Sequence, residues 1–366
     1  MADILEYLDW RGDLTMDVSP FNEIDGLILS QFIYLPFEGI VDGGWEKHTT
    51  IEKAGKKYLR THKNEEKESL TILINNCREL TKRMIKTERF RHLEIFNYIE
   101  KYDITTAKQF AAMTVKISDD CIFVVYRGTD DTLTGWEEDF KLCYMTPVEA
   151  QLEAESYLKN VCSKWNGQIM LGGHSKGGNL SIYAAMCLKD EDKERITQIY
   201  NYDGPGFLQN IVLSEDYLKV IPKVDTYLPQ GSVVGMIMYN EGRYEIVKSV
   251  EKGFLQHATI SWQVLGTHFV NEPKFENTSI WFHKACLKWV EEIEADKREQ
   301  FIEHIFQLLK AGESETFTEM SAGIPQAVNK ILHRYSDLDK PTKKMLRGIV
   351  GQMLKIMTQT IKENRK

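Results

Sequence analysis

Ser175 stands in a glycine-bounded pentad, Gly173-His174-Ser175-Lys176-Gly177, with Gly178 directly after it. Before it, residues 167–172 (GQIMLG) are a short, mostly apolar run that reads as a buried strand. After it, residues 179–188 (NLSIYAAMCL) are rich in alanine and leucine and read as a helix. A strand, a tight glycine turn and a helix raise the serine hydroxyl above the edge of a sheet, beside the positive end of the helix. Glycines at 173 and 177 have no Cβ, so the turn can be sharp and the helix can approach the strand. The pentad alone arises by chance in roughly one chain in ten of this size. Its place between strand and helix makes it informative.

The rest of the chain supplies the expected frame. Residues 63–87 predict a helix, with Leu70, Ile72, Leu73, Ile74, Cys77, Leu80 and Met84 along one stripe, and 27–35 predict another. The period then shortens. Residues 93–98, 109–117 and 121–126 predict strands, the last two joined by a hairpin turn at 118–120. Helical spacing returns over 148–165, and 196–202, 224–238 and 244–250 predict further strands. Strands alternating with helices around Ser175 predict an α/β fold with a mostly parallel sheet and helices on both faces. From 277 onward the pattern is helical, so the expected division is a domain at 1–276 and a helical C-terminal extension at 277–366. Asp339 before Pro341 marks a helix start, and Met345, Ile349, Met353, Ile356 and Met357 form a stripe expected to be core.

Composition narrows the function classes. The 366 residues are 42% hydrophobic and 27% charged, with a net charge of −8, which disfavours nucleic acid as a partner. The first ten residues lack a basic segment followed by an apolar run, and no stretch reaches the roughly 18 apolar residues of a membrane span. Six cysteines without C-x-x-C pairs argue for reduced thiols and against a metal site. The expectation is a cytoplasmic protein without cofactor or metal; the sequence does not indicate an oligomeric state.

A serine nucleophile needs a base, and the base needs an orienting group. In hydrolases with this turn the order along the chain is serine, acid, histidine, which excludes His48, His62, His92 and His174 as the base. His257 follows the last predicted strand and is the candidate base, with His268 as the alternative. Asp203 ends the strand at 196–202 and opens Asp203-Gly204-Pro205-Gly206, which makes it the candidate acid; turn capping is the competing reading. The oxyanion formed on attack needs donors. The backbone N–H of Lys176 is one candidate, and that of Thr129, in the turn after the strand at 121–126, is the other. Residues 130–140 (DDTLTGWEEDF) are expected to form part of a lid or substrate wall.

Together these residues resemble the class 3 lipase branch of the α/β-hydrolases, which pairs a V-x-F-R-G-T-type strand end with a G-H-S-x-G-G turn. Here the two stand as VVYRGT at 124–129 and GHSKGG at 173–178. The chain also resembles a bacterial family of lipase-like proteins in its YLDWRGDL (7–14), YDGPGF (202–207) and QH…SWQV (256–264) segments. The resemblance implies an α/β-hydrolase fold, esterase- or lipase-like activity on a small-molecule or lipid ester, and no metal. Two departures stand out. Class 3 lipases carry their acid in an N-D-x-V-P segment, where this chain has Ser232, which favours Asp203 one strand earlier. Lys176 replaces an apolar residue, and a cation at a helix N-terminus is disfavoured unless it has a partner, either a nearby carboxylate or an anionic substrate group. Alternative functions are a non-catalytic binding protein on the same frame, or thioester or amide cleavage by the same residues.

Overall fold

The computed structural model describes residues 2–63, 71–130, 132–311 and 324–363. Eight strands form one sheet in chain order. They are β1 (Thr49–Thr50), β2 (Glu94–Asp103), β3 (Lys108–Lys116), β4 (Cys121–Tyr126), β5 (Gln168–His174), β6 (Ile196–Tyr202), β7 (Val224–Pro229) and β8 (Arg243–Val247). β1 to β4 pair antiparallel, and β4 to β8 run parallel. The fold is an α/β-hydrolase with a mostly parallel central sheet.

Alternation along the strands separates two cores. Ala111, Met113, Val115, Phe123 and Val125 face one way, where they meet four helices: α1 (Ile4–Arg11), α2 (Glu23–Phe32), α3 (Ile51–Thr61) and α4 (Ile72–Met84). Phe110, Ala112, Ile122, Val124 and Tyr126 face the opposite way. They pack against α6 (Glu149–Lys164), α7 (Lys176–Met186) and α10 (Glu215–Val220), which lie among the crossovers with α5 (Leu133–Lys141) and the short helices α8 (Asp190–Lys193) and α9 (Gln209–Val212). Right-handed crossovers that always step the same way return on one face of a sheet. Helices do cover both faces, but the N-terminal segment supplies one layer and the crossovers the other.

The remaining helices are α11 (Asn277–Glu292), α12 (Ala295–Lys310), α13 (Ile324–Asp337) and α14 (Lys340–Glu363). Trp289, Ile302, Phe306, Ile349 and Ile356 form a third apolar cluster, against which Trp136 of α5 packs. Met345 and Met353 pack there, as the stripe predicts, whereas the side chain of Met357 lies outside the described residues. Asp339 caps α14, its Oδ1 accepting from Thr342 N–H at 2.6 Å.

Several boundaries differ from expectation. α2 spans Glu23–Phe32 where 27–35 is expected, β2 runs on to Asp103 where 98 is expected, and β8 stops at Val247 where 250 is expected. The helix expected over 63–87 is formed at Ile72–Met84, capped by Thr71, and positions 64–70 lie outside the described residues. The strand expected over 224–238 stops at Pro229, where Ser232 N–H turns back to the Pro229 carbonyl at 2.9 Å. Asp203 then takes hydrogen bonds from Ser232 and Gly235, and the segment follows that carboxylate instead of the sheet.

Candidate active site

Strand register sets the site. Tyr126 is level with Gly173, His174 with Tyr202, and Tyr202 with Tyr227, so β4 to β6 end within a residue or so of one another. The residues just past those ends are Arg127–Thr129, Ser175 and Asp203. Ser175 has φ 58° and ψ −134°, and its N–H donates to Tyr202 O at 2.9 Å. A non-glycine residue held there is strained, and the surrounding structure must over-determine it. It does so through the flanking glycines. A Cβ on Gly173 would stand 2.3 Å from the Gly177 carbonyl carbon, and one on Gly177 would stand 2.2 Å from Tyr126 O.

Asp203 also adopts positive φ, 51°, and is fully buried. Its Oδ2 accepts from His257 Nδ1 at 2.6 Å. Its Oδ1 accepts from Ser232 Oγ at 2.5 Å and from Gly235 N–H at 3.1 Å. Ser232, at the position where class 3 lipases carry their acid, therefore supports the carboxylate one strand earlier. His257 ends a 3₁₀ turn, Gly253–His257, after β8. His268 does not approach: it lies on the short strand β10 (His268–Phe269), which pairs with β9 (Val264–Leu265), and it is exposed with Nδ1 against Glu23 at 3.1 Å.

Chain order excludes His174 as the base, yet it touches His257, the candidate base. Its ring centroid is 4.4 Å from that of His257, and its Nε2 lies 3.0 Å from the His257 carbonyl. Burial first, and the neighbouring His257 second, hold the His174 imidazole well below its ordinary value, so it is neutral. A carbonyl only accepts, so Nε2 carries the proton and Nδ1 accepts from the Tyr34 hydroxyl at 3.0 Å. Tyr34 comes from the N-terminal layer, and nothing in its local sequence marks it.

On the opposite side, Thr129 Oγ1 donates to Asp139 Oδ2 at 2.6 Å. The Lys176 ammonium is completely buried; it donates to Glu138 Oε2 at 2.7 Å and to Gln109 O at 3.0 Å, and Asp139 Oδ1 is 3.6 Å away. Burial pulls the Lys176 ammonium down, but Glu138 and Asp139 outweigh it and hold the group above its ordinary value. Of the two partners expected for Lys176, the structure supplies the carboxylate, and the side chain does not line the cavity. Glu138 Oε1 also accepts from Ala150 N–H at 2.7 Å and its Oε2 from Gln109 N–H at 3.1 Å, which ties α5 to α6 and β3. Within the segment 130–140, of which residue 131 lies outside the described residues, α5 is thus a pinned wall. Its clue lay in the adjacent acids Glu138 and Asp139, which face a lysine far away in sequence.

Ser175, His257, Thr129, Asp130 and Asp139 line one cavity of about 950 Å³ whose other walls are mainly apolar. That lies at the upper end of the range of small-molecule sites, about 300–1,000 Å³. Among the described residues no group of three or more His, Cys, Asp or Glu side chains is placed to hold a metal ion, and no helix is long and apolar enough to cross a membrane.

No curated protein matches the chain. Among solved structures it is similar to M37 lipase, at 16% identity and a TM-score of 0.37, over 66% of this chain and 78% of that one. It is also similar to the native Rhizomucor miehei lipase propeptide complex, at 13% identity and a TM-score of 0.35, over 54% of this chain and 66% of that one. A deletion mutant of the same complex matches at 16% identity and a TM-score of 0.33, over 43% of this chain. The chain spans 56% of the mutant lipase chain, so it covers under two thirds of that relative. Residues 84–307, more than half of the chain and including Thr129, Ser175, Asp203 and His257, match the model of the Mbeg1-like family, and the chain belongs to that family.

Proposed function

We propose that the protein is a serine hydrolase that cleaves carboxylic esters through an acyl-enzyme on Ser175. The observation that carries this reading is the Asp203–His257 hydrogen bond at the sheet edge where strand register also puts the strained Ser175. Ser175 Oγ attacks the ester carbonyl carbon and its proton passes to His257 Nε2, while Asp203 holds the Nδ1–H tautomer. The oxyanion accepts from the Lys176 and Thr129 backbone N–H groups. Collapse of the tetrahedral adduct breaks the bond to the alcohol oxygen, which leaves with the proton from His257. Water then repeats the sequence, releasing the acid and restoring the serine.

The mainly apolar cavity supports an ester with substantial hydrocarbon as substrate. Residues 1–276 are the catalytic domain in this reading, and α11, α12 and α14 of the extension at 277–366 add a wall to its pocket. A panel of p-nitrophenyl esters with thioester and anilide counterparts tests it. The expected result is that oxygen esters are cleaved fastest and that Ser175→Ala, folded by thermal melting, loses at least about 10³-fold in kcat. If folded wild-type protein cleaves no member of the panel, the non-catalytic reading replaces this one; preference for thioesters or anilides selects the corresponding alternative.

A further inference from the structure

The cavity walls around Ser175 belong to two separate apolar clusters. Ile4, Leu5, Leu73, Cys77 and Leu80, from α1 and α4, line it and pack in the cluster under the N-terminal layer. Trp136, Ala285, Trp289, Phe301 and Ile302, from α5, α11 and α12, line it and pack in the cluster of the C-terminal helices. The polar residues Ser175, His257, Thr129 and Asp139 line the same space. From this arrangement we infer that the substrate is an ester with an apolar group on each side of the carbonyl, the alcohol group held in the N-terminal arm and the acyl chain in the C-terminal arm.

The assignment of arms follows from the chemistry and rests on the hydrolase reading above. The leaving oxygen must sit beside His257, because that ring protonates it. The chain after His257 leads to the N-terminal arm: its turn Thr259–Ser261 packs near α1 and Thr259 lines the cavity. Beneath the base, His174 is held by Tyr34, also of the N-terminal layer and also a lining residue. The oxyanion side leads the other way. Thr129 is bonded to Asp139 on α5, and the same helix carries Trp136 into the C-terminal cluster. An acyl carbon whose oxygen points to Thr129 and whose leaving group points to His257 directs its chain towards α5, α11 and α12.

Two half-buried lining positions test this, one in each arm: Leu73 and Ala285. Full-length variants Leu73→Trp and Ala285→Trp are assayed on two ester series, acetates of lengthening alcohols and methyl esters of lengthening acids. A methylene in an apolar pocket is worth about tenfold or more in kcat/KM, so filling an arm should be felt at that scale. Leu73→Trp should lower kcat/KM for long-alcohol acetates at least about tenfold more than for long-acid methyl esters, and Ala285→Trp should show the opposite bias. The assignment is overturned if the biases are exchanged, and the two-arm inference if both variants act on one series or neither alters chain-length preference. If either tryptophan lowers the melting temperature sharply, Leu73→Phe and Ala285→Leu take its place under the same criteria. Labelling of each variant with an alkyl fluorophosphonate keeps the two levels apart. Labelled protein with unbiased chain-length profiles refutes only the inference, and unlabelled, inactive wild type refutes the hydrolase reading and the inference with it.

Discussion

On the His257 side of Ser175, the contacts run through hydroxyls, imidazoles, a carbonyl and a single carboxylate: Tyr34 to His174, His174 to the His257 carbonyl, and His257 and Ser232 to Asp203. On the Thr129 side, a lysine is sealed against two carboxylates, one of which accepts from Thr129. The first arrangement fixes a tautomer and a ring orientation with hydrogen bonds. The second seals a lysine against two carboxylates, where removing the cation leaves a buried carboxylate uncompensated. The sides should therefore fail differently, the first in turnover at nearly constant stability, the second in stability and turnover together.

The largest expected effect breaks the first side. Asp203→Asn should lower kcat about 10⁴-fold, because an asparagine amide no longer selects the Nδ1–H tautomer of His257. Thermal melting and kcat on a p-nitrophenyl ester should separate, kcat collapsing while the fold persists. A matching loss of stability with little loss of kcat would instead identify Asp203 as a turn cap. Next, Lys176→Met leaves Glu138 buried without its cation, and a broken buried pair costs about 3–5 kcal/mol. Urea unfolding should show a loss of that order, together with a fall in kcat of at least about tenfold as the wall behind Thr129 loosens. Adding Glu138→Gln should restore much of the stability. If it also restores full kcat, the ion pair serves the fold alone and the contrast between the two sides is lost.

The smallest effect is in the pH dependence of stability. Burial pushes the Asp139 carboxyl up to about 6, with Lys176 pulling it the other way. A folded-state value above the unfolded value of about 3.9 means that the ionised form costs stability above about pH 6. That cost fades as the pH falls from about 6 towards the unfolded value, because the folded protein takes up the proton first. Asp139→Asn should therefore raise Tm at about pH 8, by roughly 2–4 °C, and the gain should shrink at about pH 5. A gain that grows on acidification would mean that the carboxyl sits below its unfolded value and that the charged form is favoured.

Legibility in the sequence follows the same divide. That Ser175, Asp203 and His257 meet was legible because Ser175 and Asp203 directly follow strands and His257 lies in the loop after β8, where chain order and turn residues limit the options. Short apolar and aromatic runs also mark β4 and β6 to the residue. Tyr34, His174, Glu138 and Asp139 could not be read as parts of the site. Their roles depend on contacts across 140, 83, 38 and 10 residues, and a histidine or acid looks the same whether solvated or sealed. The shortened β7 is hidden for a related reason: Asp203, just past the end of β6, draws Ser232 and Gly235 off the sheet.

Covalent labelling tests the central claim most directly. Full-length protein treated with an alkyl fluorophosphonate and read by intact mass and peptide mapping should gain one adduct, on the peptide containing Ser175. Ser175→Ala should gain none, and Asp203→Asn should react far more slowly. Folded wild-type protein that takes no adduct, or an adduct that persists in Ser175→Ala, would contradict the assignment of Ser175 as the nucleophile.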